Sequence, residues 1–263
     1  MFRRFQHRSY ELENIDKGTY TPEEYEGSLV ELRLVNRLLG DASALRRTLL
    51  TEIERASIKQ FSVLDVCAGS GYLLRVIANW ARATGRSAQL TGVELNERSA
   101  QSILEESAAY SEVSSVRGNG LRLPFADSSF DYAISSLALH HFDDDGAKRI
   151  LSEMGRVARR GIFLIDLHRN PIAYLLYTTA GRIILHNRLL REDGALSILR
   201  SFRPKELHEL AQRAGLERIR VERRFPFRLV LSARANCPAE WFTPSAWRGE
   251  QRSSIDHDIR KTA

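Results

Sequence analysis

Phe61-Ser62-Val63-Leu64-Asp65-Val66-Cys67-Ala68-Gly69-Ser70-Gly71 is the stretch that sets the fold of this chain. An apolar run ends in an acid, and a turn of small residues follows. Leu73, Leu74, Ile77 and Trp80 then recur with the period of a helix. The pattern is a buried strand, a ligand-side loop and a helix N-terminus. Small side chains in such a loop let a ligand lie against the backbone.

Working outward, Gln89-Leu-Thr-Gly-Val-Glu94-Leu95 ends a second apolar run in an acid. In nucleotide-binding α/β folds an acid at the end of strand two accepts hydrogen bonds from ribose hydroxyls. Val116-Arg-Gly118-Asn119-Gly120-Leu121-Arg-Leu123-Pro124-Phe125 comes next. Phe130-Asp131-Tyr-Ala-Ile-Ser135-Ser136-Leu137-Ala-Leu-His140-His141 follows it.

In this order, from about residue 62 to 235, the motifs resemble those of class I S-adenosylmethionine-dependent methyltransferases. The resemblance is to the broad group that includes the ubiquinone/menaquinone biosynthesis enzymes. It implies an α/β fold, a Rossmann-like, seven-stranded, mostly parallel sheet with helices on both faces and an N-terminal helical extension. It implies S-adenosylmethionine as cofactor. Asp65 would orient the loop and the methionyl amine, and Cys67, Ala68, Gly69 and Gly71 would let the cofactor approach. Glu94, with Leu95 beside it, would take the ribose. Asn119, Gly120 and Leu121 would frame the adenine, and Ser136 and Leu137 would face the methionyl part. The chain departs from the family twice: Cys67 stands where the first glycine is usual, and Asn119 where an aspartate is usual.

Alternation of strands and helices independently implies a parallel sheet. The expected strands are Ser62–Val66, Gln89–Glu94, Ser115–Gly118, Asp131–Ser135 and Gly161–Asp166. Arg218–Arg224 and Arg228–Ala233 would form a closing hairpin about Pro226. Residues 1–57 form the expected helical extension, either a cover for the cleft or a packing appendage. In it, Thr21-Pro22-Glu23-Glu24 is a capping box. Tyr25, Leu29, Leu32, Asn36 and Leu39 share one face, Gly40 stops it, and Asp41 and Ser43 can start the next helix. Residues 58–235 are the catalytic domain. Within it, 169–201 is an insertion whose apolar patches, Ile172 to Tyr177 and Arg182 to Leu185, predict a lid over a hydrophobic acceptor. Arg203 would cap the next helix, where Ser or Thr serves better. Residues 236–263 are a tail carrying Trp241, Phe242 and Trp247.

The composition narrows the setting. The 263 residues fit one large α/β domain or two small ones, and 43% apolar content is ordinary. No run reaches the roughly 20 residues a bilayer span needs. Two cysteines, Cys67 and Cys237, and a basic start without an apolar signal core point to a reducing cytoplasm. The net charge is +6, with arginines crowded into the C-terminal half. Such a face is either a solvated surface or one that meets RNA or anionic lipid. Ser135-Ser136-Leu137 stands where N6-type nucleic-acid methyltransferases carry an Asn/Asp-Pro-Pro-Tyr/Phe signature, which counts against a nucleic-acid partner.

Methyl transfer from a sulfonium is an in-line displacement that needs positioning and, for a hydroxyl acceptor, a base. It needs no metal, and no His/Cys/Asp cluster with metal spacing appears along the chain. His140 and His141 are candidate bases, or simply pack their loop; His168, with Asp166, is the rival. The leading expectation is methyl transfer to a small, apolar phenolic, quinone-like or polyketide-like acceptor. An RNA or protein methyltransferase, a peripheral membrane contact and a non-catalytic cofactor-binding scaffold are the alternatives. Oligomeric state is not written in the sequence.

Overall fold

The structure, a computed structural model, describes residues 2–28, 31 and 40–235, with the backbone alone at 2, 3, 180, 182–184 and 235. Leu29, Leu32, Asn36 and Leu39 of the expected helix face lie outside the described residues, as does the tail with Cys237, Trp241, Phe242 and Trp247.

A 3-10 turn, Phe2–Phe5, leads to α1 (Asn14–Lys17) and to α2 over 22–28. The capping box forms as read: Thr21 N donates to Glu24 Oε2 at 3.0 Å and Glu24 N to Thr21 Oγ1 at 3.2 Å. Next, α3 (Asp41–Leu45) runs through a π-helical turn, Arg46–Leu50, into α4 (Thr51–Arg55). The alternating core follows: β1 (Gln60–Val66), α5 (Tyr72–Ala83), β2 (Ser87–Glu94), α6 (Glu97–Glu106), β3 (Val113–Arg117), β4 (Phe130–Ser136), α7 (Asp144–Val157) and β5 (Ala158–Leu167). The insertion folds as α8 (Pro171–Ile184) and α9 (Arg188–Arg200). Then α10 (Pro204–Arg213) precedes the hairpin β6 (Leu216–Arg224) and β7 (Arg228–Ala235).

The seven strands lie in the order β3-β2-β1-β4-β5-β7-β6. All pairs are parallel except those of β7, which runs antiparallel between β5 and β6. Connections reverse direction between β1 and β4, which opens a crevice at the carboxyl ends of those strands. The strands read as unbroken apolar runs because both faces are covered. Leu64, Val66, Ala133, Ile162 and Leu164 pack under α7 and α10. Val63, Leu90, Ile134 and Ile165 pack under α3, α4 and α5. Each such side chain contributes about 1.5–3 kcal/mol.

β5 begins three residues before the expected Gly161. Arg159 and Arg160 look like loop residues, but both guanidinium Nε atoms bond Asp131 Oδ1, at 2.9 and 2.8 Å. Asp131 also holds Ser62 N at 2.9 Å, so the amino-end edge of the sheet is a polar buttress. Arg203 can precede α10 because the cap is supplied from inside the helix: Glu206 Oε2 accepts from Arg203 N at 2.9 Å.

Buried ion pairs fasten the extension to the sheet. Asp41 is the first residue of α3, as expected, but its carboxylate does not cap the helix. It receives Arg228 Nε at 2.6 Å, and both side chains are 2% exposed. Arg8 bonds Phe142 O at 2.9 Å and lies 3.8 Å over the Phe202 ring. Arg169, 1% exposed, donates to Phe5 O at 3.1 Å and to Ser201 O at 2.7 Å. Removing one member of a buried pair strands the other charge. Asp41→Ala should therefore cost about 3–5 kcal/mol in denaturant unfolding; a loss below about 1 kcal/mol would show that Arg228 finds water instead.

Candidate active site

The loop after β1 takes three left-handed residues, Cys67 (φ 59), Gly69 (φ 55) and Gly71 (φ 73). It is tied down by Ala68 N to Val93 O at 3.1 Å and Gly71 N to Ala68 O at 2.9 Å. A Cβ on Gly71 would stand 3.0 Å from Ile103, whereas one on Gly69 would meet nothing within 4 Å. Gly71 thus serves packing, and Gly69 keeps the open side of the loop clear. Cys67 keeps its side chain in a conformation that costs an L-residue roughly 1–2 kcal/mol. Burial, then the charges of Glu94 and Asp65, pushes its thiol up to about 12.

Glu94 ends β2 and embraces backbone donors. Gly69 N reaches its Oε2 at 3.0 Å, and Leu95 N and Asn96 N reach its Oε1 at 2.9 and 3.2 Å. Asp65 is 3% exposed, and among the described residues no donor reaches its carboxylate. Desolvation first, and then the charge of Glu94, hold that carboxyl well above its ordinary range.

A cavity of about 600 Å³ opens over the loop. Asp65, Cys67, Ala68, Gly69, Ser136 and Leu137 line it, joined by Glu13, Asp41, His140, His141 and His168. Ala173, Leu176, Tyr177, Leu185 and Leu189 of the insertion form an apolar wall. Gly71, Glu94, Leu95, Asn119, Gly120 and Leu121 lie outside this lining. Leu95 is 62% exposed. Gly120 is packed so tightly that a Cβ would stand 2.9 Å from Ile150 and 3.1 Å from Val66. Asn119 is exposed, and its Oδ1 accepts from Leu121 N at 2.9 Å. The side-chain oxygen expected to meet adenine is therefore engaged by its own turn.

At the far end of the cavity a polar cluster gathers around a 3-10 turn, Leu139–His141. His140 Nδ1 lies 2.6 Å from Asp166 Oδ1, and His140 N donates to Asp166 Oδ2 at 3.1 Å. This corrects the expected partnership: Asp166 serves His140, not His168. Residues two apart share a strand face, but β5 ends at Leu167, and the turn after β4 brings His140 onto Asp166 instead. His141 Nδ1 lies 3.2 Å from Asp16 Oδ2 and 3.8 Å from Glu13 Oε2. Burial works against the His141 charge most strongly, but the Asp16 hydrogen bond and the charges of Glu13, Asp16 and Asp166 outweigh it and raise its pKa. His168 is pushed down to about 4 by burial and by Arg223, Arg203 and Arg169. It stays neutral and is a poor base at pH 7.

Glu13, Asp16 and Arg200 were not singled out in the sequence. The only local signal for the acids was the run Glu11-Leu-Glu13-Asn-Ile-Asp16. Glu13 Oε1 accepts from Ser197 Oγ at 2.9 Å. Arg200 Nε donates to His140 O at 3.0 Å, and its terminal nitrogens donate to the carbonyls of Glu11 and His141.

A family model described as "Methyltransferase domain" matches residues 63–161, from β1 into β5. That segment is similar to a methyltransferase domain, and the fold around it is one that methyltransferase structures share. A demethylmenaquinone methyltransferase of Staphylococcus aureus is 31% identical over 109 residues, 41% of this chain and 43% of that protein. One of Bacillus licheniformis is 29% identical over 103 residues, 39% of this chain and 42% of its own. The chain thus matches less than half the length of these curated relatives. Among solved structures, the CurJ carbon methyltransferase superposes with a TM-score of 0.62 at 12% identity, over 84% of this chain and 63% of its own. Human N-acetylserotonin methyltransferase, solved with S-adenosylmethionine, gives 0.56 at 16%, over 88% and 63%. These likenesses establish the fold.

The Cys67 thiol yields a direct test. The thiolate is the species that alkylates. Iodoacetamide at pH 8 should modify Cys67 at least about 10³-fold more slowly in the folded chain than in urea, read by peptide mass spectrometry. Comparable rates would mean that the thiol is not held in its protonated form.

Proposed function

We propose that this chain transfers the methyl group of S-adenosylmethionine to a small, apolar aromatic, quinone-like or polyketide-like acceptor held in the cavity. One observation carries the reading: a single cavity, apolar along α8 and α9, runs from the small-residue loop to the His140–Asp166 pair. The loop fits the cofactor. Gly69 leaves open space above the backbone, and among the described residues no donor reaches the Asp65 carboxylate, as suits a group meant for a ligand ammonium. When bound, S-adenosylmethionine supplies a sulfonium-activated methyl, so the S–CH3 bond breaks with its electron pair retained by sulfur.

The residues of the chain do the rest. Glu94 exchanges some of its backbone partners for the ribose hydroxyls. Asp65 orients the methionyl amine. Ser136 and Leu137 flank the methionyl arm. Asp166 holds His140 with Nδ1–H toward the carboxylate, which leaves the Nε2 lone pair to take the acceptor's proton. The apolar wall excludes water and holds the acceptor in line with the methyl. Ile172, Leu175 and Leu176 are 61%, 48% and 51% exposed on α8. They mark this helix as the rim an apolar acceptor crosses, and the insertion as its lid. Among the described residues, no helix is long and apolar enough to cross a membrane. Four arginines of the arginine-rich half are taken up inside the fold: Arg188 pairs with Glu24, Arg224 with Glu222, Arg228 with Asp41, and Arg200 lies beside Glu13.

Two variants separate binding from transfer. Glu94→Ala should weaken S-adenosylmethionine by about 2–3 kcal/mol, roughly 30- to 150-fold in Kd by calorimetry. His140→Gln should keep cofactor affinity and lose label transfer to a panel of phenols and reduced quinones by about 10²- to 10⁴-fold. No transfer by the wild type to the panel or to a lipid extract would overturn the reading in favour of a scaffold.

Cofactor binding should also depend on pH with a fixed sign. The Asp65 carboxyl is raised in the free protein, and an adjacent ligand ammonium favours its ionised form. Binding therefore releases a proton, and affinity rises with pH through the raised carboxyl pKa. Calorimetry in buffers of different ionisation enthalpy reads the proton directly. Proton uptake on binding would place the amine elsewhere.

A further inference from the structure

Glu13, His140 and His141 bring three ligand-capable atoms within 4.8 Å of one another at the acceptor end of the cavity. His140 Nε2 stands 4.0 Å from Glu13 Oε1, and His141 Nδ1 stands 3.8 Å from Glu13 Oε2. Donors about 2.1 Å from a shared ion lie roughly 3.0–4.2 Å apart. Closing this set around one ion therefore asks for a shift of about half an ångström.

The donors already have partners behind them. Asp166 Oδ1 sits 2.6 Å from His140 Nδ1, so the Nε2 lone pair is aimed at Glu13 and the cavity. Ser197 Oγ holds Glu13 Oε1 at 2.9 Å. A carboxylate behind a histidine fixes its tautomer and raises its strength as a ligand. His141 Nδ1 bonds Asp16 at 3.2 Å and would exchange that bond for the ion, leaving Asp16 beside it as counter-charge.

Charge points the same way. Glu13 and Asp166 are 2% and 1% exposed, and Asp16 adds a third carboxylate. Against them stands one guanidinium, Arg200, 3.6 Å from Glu13 and 3.9 Å from Asp16. The nearby Arg8 is bonded to Asp144, and Asp193 is satisfied by Asn14 N at 2.8 Å and Ile15 N at 3.0 Å. Glu13 and Asp166 are thus two carboxylates taken out of water beside one guanidinium, which is costly. A dication closes that balance.

We propose that Glu13, His140 and His141 bind a first-row divalent transition-metal ion whose open positions face the cavity. Two imidazoles and one carboxylate suit Zn²⁺, Fe²⁺ and Co²⁺ better than Mg²⁺ or Ca²⁺. The ion takes an acceptor hydroxyl as a further ligand, deepening the function proposed above. It rests on that reading for what the ion does, not for whether it binds. A bound ion lowers the pKa of a coordinated oxygen, as it lowers that of a bound water. It replaces His140 in making that oxygen nucleophilic. The acceptor O–H proton leaves through the partly exposed Asp16 to solvent, the S–CH3 bond breaks with its pair kept by sulfur, and the O–CH3 bond forms.

Co²⁺ titration of the metal-stripped full chain, with neither cofactor nor acceptor present, tests the site. One equivalent should bind, with visible ligand-field absorption that Zn²⁺ abolishes by competition. Glu13→Gln and His140→Gln should each weaken Co²⁺ by at least about 100-fold, and Asp166→Asn by roughly 10- to 100-fold. S-adenosylmethionine affinity in the same variants reports an intact fold. Glu94→Ala should do the reverse, keeping Co²⁺ and losing the cofactor, so the two proposals fail separately. Absence of saturable Co²⁺ binding by the wild type, or equal affinity in a folded Glu13→Gln or His140→Gln, would overturn the site.

Discussion

The arrangement of the acceptor end depends on one buried guanidinium. Arg200, in the last turn of α9, donates to the carbonyls of Glu11, His140 and His141 and is 3% exposed. A charge taken out of water is tolerated only when its donors are all engaged. Here the acceptors come from two segments far apart in the chain, the stretch before α1 and the turn after β4, and the guanidinium comes from a third, the insertion. None can shift without uncovering the guanidinium. The histidine pair therefore has a fixed place although it sits on a short 3-10 turn rather than inside a helix or strand.

The cofactor end rests on a different constraint, backbone conformation. Three left-handed residues within five positions turn the chain sharply enough to present amide groups at the end of β1. Glycine supplies two of them without strain. The third is Cys67, and the cost of its side chain is offset by what the side chain touches. Its sulfur lies where a Cβ on Gly120 would be 3.4 Å away, so the loop is packed onto the β3–β4 connection. The departure from glycine thus adds rigidity under the loop without adding bulk above it.

Most of the sheet was legible in the sequence, because a parallel strand buried on both faces writes itself as an apolar run. The start of β5 was not. Arg159 and Arg160 carry a loop-like composition, and only Asp131, on another strand, makes them strand residues. The candidate site was legible where the chain makes it locally: Asp65, the loop and Glu94 all end or follow recognisable strands. Asn119 was read from the family position alone, and the structure bends its side chain into its own turn. Glu13, Asp16 and Arg200 were invisible for a physical reason. Their meaning lies in pairings across more than a hundred residues, and local periodicity carries no record of such contacts. The absence of metal-like spacing was likewise a statement about neighbours along the chain, and Glu13 meets His140 only in three dimensions.

The same division separates what resemblance can tell from what it cannot. The matched segment, residues 63–161, contains the loop, Asp65, Glu94, Ser136 and the two histidines. Under the function proposed above, those are the groups that would hold the sulfonium cofactor and stand beside the methyl. The other walls of the cavity come from outside it: Glu13 and Asp41 from the extension, Ala173, Leu176 and Tyr177 from α8, Leu189 from α9, and Arg228 from β7. A side chain selects a ligand only by touching it, so the family-model match is silent on much of what would touch a ligand in this cavity. The match therefore bears on the segment from β1 into β5 and not on the shape and charge of α8, α9 and the N-terminal acids, which in the proposed function choose the substrate.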